Sequence, residues 1–322
     1  MTVKTPESLV RFEWDNLKVG DYLGEIDGRV SKNEVRAHTF AIGDEPGSYV
    51  AGLGDSLLVP PTLFINDLLK LFLIGYDVTP PMVSGLHTRA IIEILEPVPV
   101  DSDVKITGSH VAKFMRRGRR HRSCLSTLTS TDGTELVKML ATETVGFERF
   151  DEPDSVDQPE NWAEGMPRVT DEIDPNAPVL KPGDAAVVGG VLEDAPRAVT
   201  YEQSVIFSGF PYGWAYDEPQ PIRRSSIHIS PEKAAESGYP APVAQGLISA
   251  SHVISTIIRQ FGESALHGSK YSFSFIAPVI VGTELTTRVV IDAIDDEGVL
   301  MHAFVKNSDG KIVTIAHVRT PQ

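Results

Sequence analysis

Between Ile227 and Leu247 the chain places a histidine, His228, at the end of a turn and follows it with a short Ala-rich helix. The stretch Gly238-Tyr239-Pro240-Ala241-Pro242-Val243-Ala244-Gln245-Gly246 then leads into a long apolar helix. This spacing lets a titratable imidazole and a helix N-terminus face one cavity. An imidazole titrates near neutrality and can move a proton, while the unpaired amides at a helix N-terminus favour developing negative charge. Acid/base work and oxyanion stabilisation together are what thioester chemistry requires. The alternative for His228 is a turn histidine satisfied by a neighbouring backbone carbonyl.

Other patterns narrow the chemistry. No metal-ligand spacing, phosphate-cradling Gly loop or Ser-His-Asp order occurs in the 322 residues, so neither a metal nor a resident cofactor is expected. A formal net charge of −15 argues against a nucleic-acid partner, which needs a net basic face. The run Arg116-Arg117-Gly118-Arg119-Arg120-His121-Arg122 stands out in so acidic a chain. It could receive phosphates or an acidic carrier protein, or it could be a sheet edge guarded by charge. The single cysteine, Cys124, forbids an intrachain disulfide and fits a reducing compartment; it reads as a buried apolar residue. No apolar stretch follows Lys4, so no secretory signal is expected. The longest apolar run, Leu68 to Ile74, is interrupted by Lys70 and is short of the ~20 residues a bilayer span needs. The expected location is the cytoplasm.

The elements that must position the histidine are duplicated. Leu17-Lys18-Val19-Gly20-Asp21 recurs as Leu180-Lys181-Pro182-Gly183-Asp184, and the helix-start signals Ser31-Lys32-Asn33-Glu34 and Thr200-Tyr201-Glu202-Gln203 follow them. Ser130-Thr131-Asp132-Gly133 and Asn307-Ser308-Asp309-Gly310 are matching hairpin turns. The offset grows from about 160 to about 180 residues, which places an insertion early in the second half. Phe210 to Pro221, rich in aromatics, Pro and Gly, is that insertion. Residues 1–150 read as one domain and 180–322 as another. An acidic, Pro-rich connecting segment, 151–179, crosses the first domain and is anchored by Trp162 and Met166.

In each half one apolar helix precedes several strands. The first, Pro61 to about Ile74, is apolar on nearly every side and must be buried all round; the second runs from Gly246 to Phe261, with Gly262 as its stop. Strands are expected at 86–95, 104–114, 122–130 and 135–147, and again at 270–275, 283–291, 299–307 and 311–319. The class is α+β: two helices, each wrapped by an antiparallel sheet, with the sheets continuous between the halves.

Ile227, His228, Ala234, Gly238, Tyr239, Pro242, Val243 and Gly246 resemble the active-site region of MaoC-like (R)-specific enoyl-CoA hydratases, and the chain as a whole is similar to their double-hotdog members. Phe40 to Asp44 and Leu58 to Thr62 look like the N-terminal domain of that group. The resemblance implies a hydratase or dehydratase acting on an acyl thioester of coenzyme A or an acyl carrier protein, where coenzyme A or phosphopantetheine is part of the substrate. His228 would be acid/base and the Gly246 N–H would receive the thioester oxygen. The pattern departs at three places: Arg223 stands where the catalytic Asp belongs, Ser225 and Ser226 replace Asn-Pro, and Gln245 replaces a second His. An arginine cannot serve as a general base, so either Asp217 or Glu218 of the insertion joins His228, or the site does not hydrate by the family mechanism.

The first half keeps the complementary fragment, Gly43 to Tyr49, with Asp44 at the Asp position and Tyr49 at the His position. Asp44 is therefore a second catalytic candidate, or else a turn residue capping local amides. Arg223, Ser225, Gln245, Tyr239 and Tyr49 are the expected substrate-binding residues. Two other readings stand beside hydration: thioester hydrolysis, and an acyl-thioester-binding protein without catalysis. A homodimer of double-hotdog chains is among the assemblies the resemblance allows.

Overall fold

The computed structural model describes residues 2–44, 58–77, 85–155, 157–208 and 226–322. In the first half, β1 (Thr2–Lys4) and β2 (Tyr22–Arg29) precede α1 (Lys32–Ala41) and β3 (Leu58–Val59). The short helices α2 (Ile65–Lys70) and α3 (Phe72–Gly75) follow, then β4 (His87–Ile94), β5 (Val98–Pro99), β6 (Asp103–Arg116), β7 (Arg119–Ser130) and β8 (Glu135–Thr144). The second half repeats this order. It contains β9 (Val179–Leu180), β10 (Val191–Glu193), β11 (Arg197–Ala198), α4 (Tyr201–Phe207), α5 (Pro231–Glu236), β12 (Val243–Ala244), α6 (Gly246–Phe261), β13 (Ser269–Phe275), β14 (Val279–Ile280), β15 (Glu284–Asp295), β16 (Gly298–Asn307) and β17 (Ile312–Thr320).

Both capping boxes form. Ser31 and Glu34 close the start of α1, and Thr200 and Gln203 close that of α4. Each satisfies two amides that a helix N-terminus otherwise leaves open. The duplication extends to small sheets: β3 pairs with β5 as β12 pairs with β14.

One antiparallel junction joins the halves. β4 pairs with β13 from Ser269↔Ile94 to Ser274↔Arg89, so thirteen described strands make one sheet. The fold is a double hotdog, with α6 enclosed by the second half of that sheet. The helix α6 begins and ends where its sequence signals lie, and Gly262 stops it with φ 64°. From Leu247 to Ile258 every residue is buried.

The first helix does not form as one piece. A 3-10 turn, Pro61–Leu63, precedes α2 and α3. Proline at the first helical position lacks an amide to donate and favours a tight start. Each later piece is held by its own contact. Asn66 Nδ2 donates to the Phe207 carbonyl and Lys70 Nζ to that of Ser208, while Ile74 and Gly75 sit against the β2 backbone at Leu23 and Gly24.

The arginine run is not a sheet edge either. Arg117 and Gly118, both at positive φ, make a tight hairpin between β6 and β7, and β7 lies between β6 and β8. Arg122 is buried, ion-paired with Glu143 and 3.9 Å above the Phe72 ring. Arg120 covers the rings of Trp14 and Phe150. These two cations are committed to the fold rather than offered to phosphates.

The stretch after β8 crosses both halves. Phe150 N–H donates to Gly118 and Ser155 N–H to Met115; farther on, Asn161 accepts from Ser272, Pro167 meets His317 and Asp171 pairs with Lys306. Its most buried residues are Ala163 and Val169, and Trp162 and Met166 are half-buried.

The halves are also stapled by charge. Asp44, after α1, accepts from Arg259 Nη1 at 2.7 Å and lies 3.7 Å from Arg197 Nη2; Asp194 accepts from Arg259 at 2.6 Å and also binds Arg197. The Asp44 side chain is 3 % exposed, and removing one partner of a buried pair leaves the other charge uncompensated. Replacing Asp44 by Ala should lower the unfolding free energy by about 3–5 kcal/mol in a urea titration; a loss below about 1 kcal/mol would mean the staple is dispensable.

Candidate active site

The turn that carries His228 rests on α4. Ser204 Oγ donates to the His228 carbonyl at 2.9 Å, and the Tyr201 hydroxyl donates to the Ile229 carbonyl at 2.7 Å. Ser226 Oγ accepts from the His228 amide at 3.2 Å. The ring then reaches the strand that feeds α6, where Nδ1 lies 2.6 Å from the Val243 carbonyl oxygen. A carbonyl only accepts, so the proton sits on Nδ1 and the lone pair on Nε2. The backbone contact expected of a simple turn histidine is thus present, and it leaves Nε2 as the acceptor of the ring.

Val243 lies three residues before Gly246, so the imidazole is held on the strand that feeds α6. Gln245, the residue before the helix, supplies no side-chain cap. Its amide nitrogen instead donates to Ser208 Oγ at 3.1 Å, and its buried Oε1 has no hydrogen-bond partner. Gly246 is the one partly open residue between Pro242 and Ile258. A side chain there would collide with Phe275, since an added Cβ would lie 2.7 Å from the ring. Glycine is required by that approach.

Burial lowers the His228 pKa to about 4; the Val243 carbonyl opposes the shift and the positive charge of Lys70 adds to it. At neutral pH the ring is therefore uncharged. Lys70 comes from α2 of the first half and is anchored on the Ser208 carbonyl at 2.5 Å. Lys70, Gln245 and His228 all converge on α4. Lys70 reads in the sequence only as a break in an apolar run. The signal that marks it is Asn66 one helical turn earlier, because polar residues four apart on an apolar helix share a face.

The other expected residues divide into three groups. Tyr239 is half-buried and its amide closes the end of α5 on the Ala234 carbonyl. Tyr49, Asp217, Glu218, Arg223, Ser225 and the aromatic insertion lie outside the described residues. Asp44 lies elsewhere: its partner Arg259 is in the last turn of α6, about 20 Å along the helix from Gly246 at 1.5 Å per residue. Asp44 is a structural turn residue, held there by two arginines. Among the described residues no carboxylate pairs with the His228 ring.

Residues 224–307, which span this site, match the family model described as MaoC like domain. The chain carries a MaoC-like domain. No curated protein matches the chain in sequence. Solved structures do match in fold. A MaoC-like dehydratase from Phytophthora capsici is 15% identical, with TM-score 0.62 over 92% of this chain and 95% of that one. A Mycobacterium tuberculosis protein described as having a double hotdog fold is 13% identical, with TM-score 0.63 over 96% and 98%. The full-length peroxisomal multifunctional enzyme type 2 of Drosophila melanogaster is 18% identical, with TM-score 0.60 over 94% of this chain and 48% of the enzyme. At such identities the likeness is one of fold. No helix among the described residues is long and apolar enough to cross a membrane.

The Lys70 charge facing the MaoC-like domain makes a testable demand. In a Lys70→Met protein the His228 ring, followed by ¹H–¹⁵N imidazole spectra, should titrate above the native value of about 4. An unmoved midpoint would place Lys70 out of electrostatic reach.

Proposed function

We propose that the protein is a hydratase or dehydratase of acyl thioesters, with His228 as acid/base and the amino end of α6 as oxyanion site. The observation that carries this reading is the Nδ1–Val243 bond, which leaves an uncharged ring with its Nε2 lone pair unengaged on the strand that leads into Gly246.

In the hydration direction the thioester oxygen is received by the Gly246 N–H, where the helix dipole favours the negative charge that gathers as an enolate forms. Nε2 takes one proton from water while the water oxygen bonds to Cβ of the enoyl group. The imidazolium then returns that proton to Cα, and the enolate collapses to the saturated 3-hydroxyacyl thioester. Proton and electron counts balance without a second acid. Gln245 Oε1, buried without a partner, offers an acceptor near the reacting centre, which supports a water-positioning role in place of the carboxylate that the family pattern puts at Arg223. Dehydration is the reverse.

Replacing His228 by Ala should lower turnover of an enoyl-CoA by at least about a hundredfold while the fold, followed by circular dichroism, is kept. Gly246→Ala should cost a similar factor, because its methyl group must displace Phe275. Full activity in His228→Ala would remove the histidine from the mechanism. Release of free thiol instead of 3-hydroxyacyl product would point to thioester hydrolysis, and tight binding with no turnover across a substrate panel to a non-catalytic acyl-thioester module.

A further inference from the structure

Strand register aligns a row of side chains across the sheet. Arg122 on β7 stands opposite Glu143 on β8, and Glu143 stands opposite His87 on β4. Next to β4, β13 ends in Phe275, whose ring centroid is 4.6 Å from that of His87. Phe275 in turn packs on Gly246. An unbroken line of contacts therefore runs from the open amino end of α6 to a buried ion pair in the first half, on the side where Arg122 faces Phe72 of α3.

A purely apolar chain has little use for such a row. Two of its polar atoms, His87 Nε2 and Arg122 Nε, are buried with no hydrogen-bond partner, and leaving a buried donor or acceptor unmade is costly. The orphaned rings of His110 and His252 are about 1 % exposed, sealed in the core, whereas His87 is half-buried and adjoins the site. Burial keeps the His87 ring neutral, and a backbone bond at Arg89 favours its proton. That bond belongs to the other ring nitrogen, so Nε2 is left to accept. The charge of Arg122 is already met by Glu143, so a carboxylate or an ammonium arriving here would be unpaired. A neutral donor would not.

We propose that this row is a specificity subsite of the acyl pocket and selects an acyl group bearing a hydroxyl that donates to His87 Nε2. The inference rests on the acyl-thioester reading. The hydroxyl would lie beyond the Phe275 ring, several bonds from the thioester.

Isothermal titration with non-hydrolysable saturated acyl-CoA thioethers of about four to eight carbons, each with and without a terminal hydroxyl, tests it. At the matching length the hydroxylated probe should bind roughly tenfold tighter to the native protein. That preference should vanish in His87→Phe and be partly kept in His87→Gln, which retains an acceptor. Equal affinity at every length, or a preference untouched by His87→Phe with the native fold kept, overturns the subsite and leaves the acyl-thioester reading standing. Failure of every probe to bind the native protein overturns both.

Discussion

Helix α6 has no solvent face, and that constraint organises the molecule. Its residues from Leu247 to Ile258 are all buried, so the helix exists only where sheet and neighbouring helices surround it. The strands that pack on it, β10, β15, β16 and β17, belong to the second half, and the β4–β13 pairing joins that half-sheet to the first. The same burial leaves the amino end as the place where unpaired amides can meet something other than their own chain. Gly246, just ahead of that run and partly open, is where the proposed site meets the helix.

The site is then assembled from both halves. The second half supplies the imidazole, the Val243 carbonyl that sets its tautomer, and the helix start. The first half supplies Lys70, whose charge reaches His228 and whose ammonium holds the end of α4. A histidine kept neutral by burial is a weak base in absolute terms, yet it is wholly in the proton-accepting form at neutral pH. The ion network of Asp44, Arg197, Asp194 and Arg259 fastens the halves at the far end of α6.

Much of this was legible in the sequence where local signals act locally. Ser31 and Thr200 marked helix starts because capping boxes are read within four residues, and Gly262 marked a stop because its positive φ excludes most side chains. Strand positions agreed to within a few residues, since alternation needs no distant partner. What failed was long-range. Asp44 matches a catalytic fragment by its neighbours, but its role is set by arginines more than 150 residues away in the chain. The broken first helix depends on carbonyls of α4, and Arg122 reads as a surface charge until Glu143 is placed beside it by register. The His228–Gly246 pairing was legible because both lie within one short segment, whereas the contribution of Lys70 was not.

The claim at the centre is that the amino end of α6 receives the thioester oxygen. The measurement that tests it most directly is an isotope-edited infrared difference spectrum of an enoyl-CoA carrying ¹³C at the thioester carbonyl, bound to the unreactive His228→Ala protein. Donation from the Gly246 amide in the field of the helix dipole should shift the carbonyl stretch to lower frequency than in water. A bound carbonyl with the frequency it has in water, or a higher one, would contradict the account.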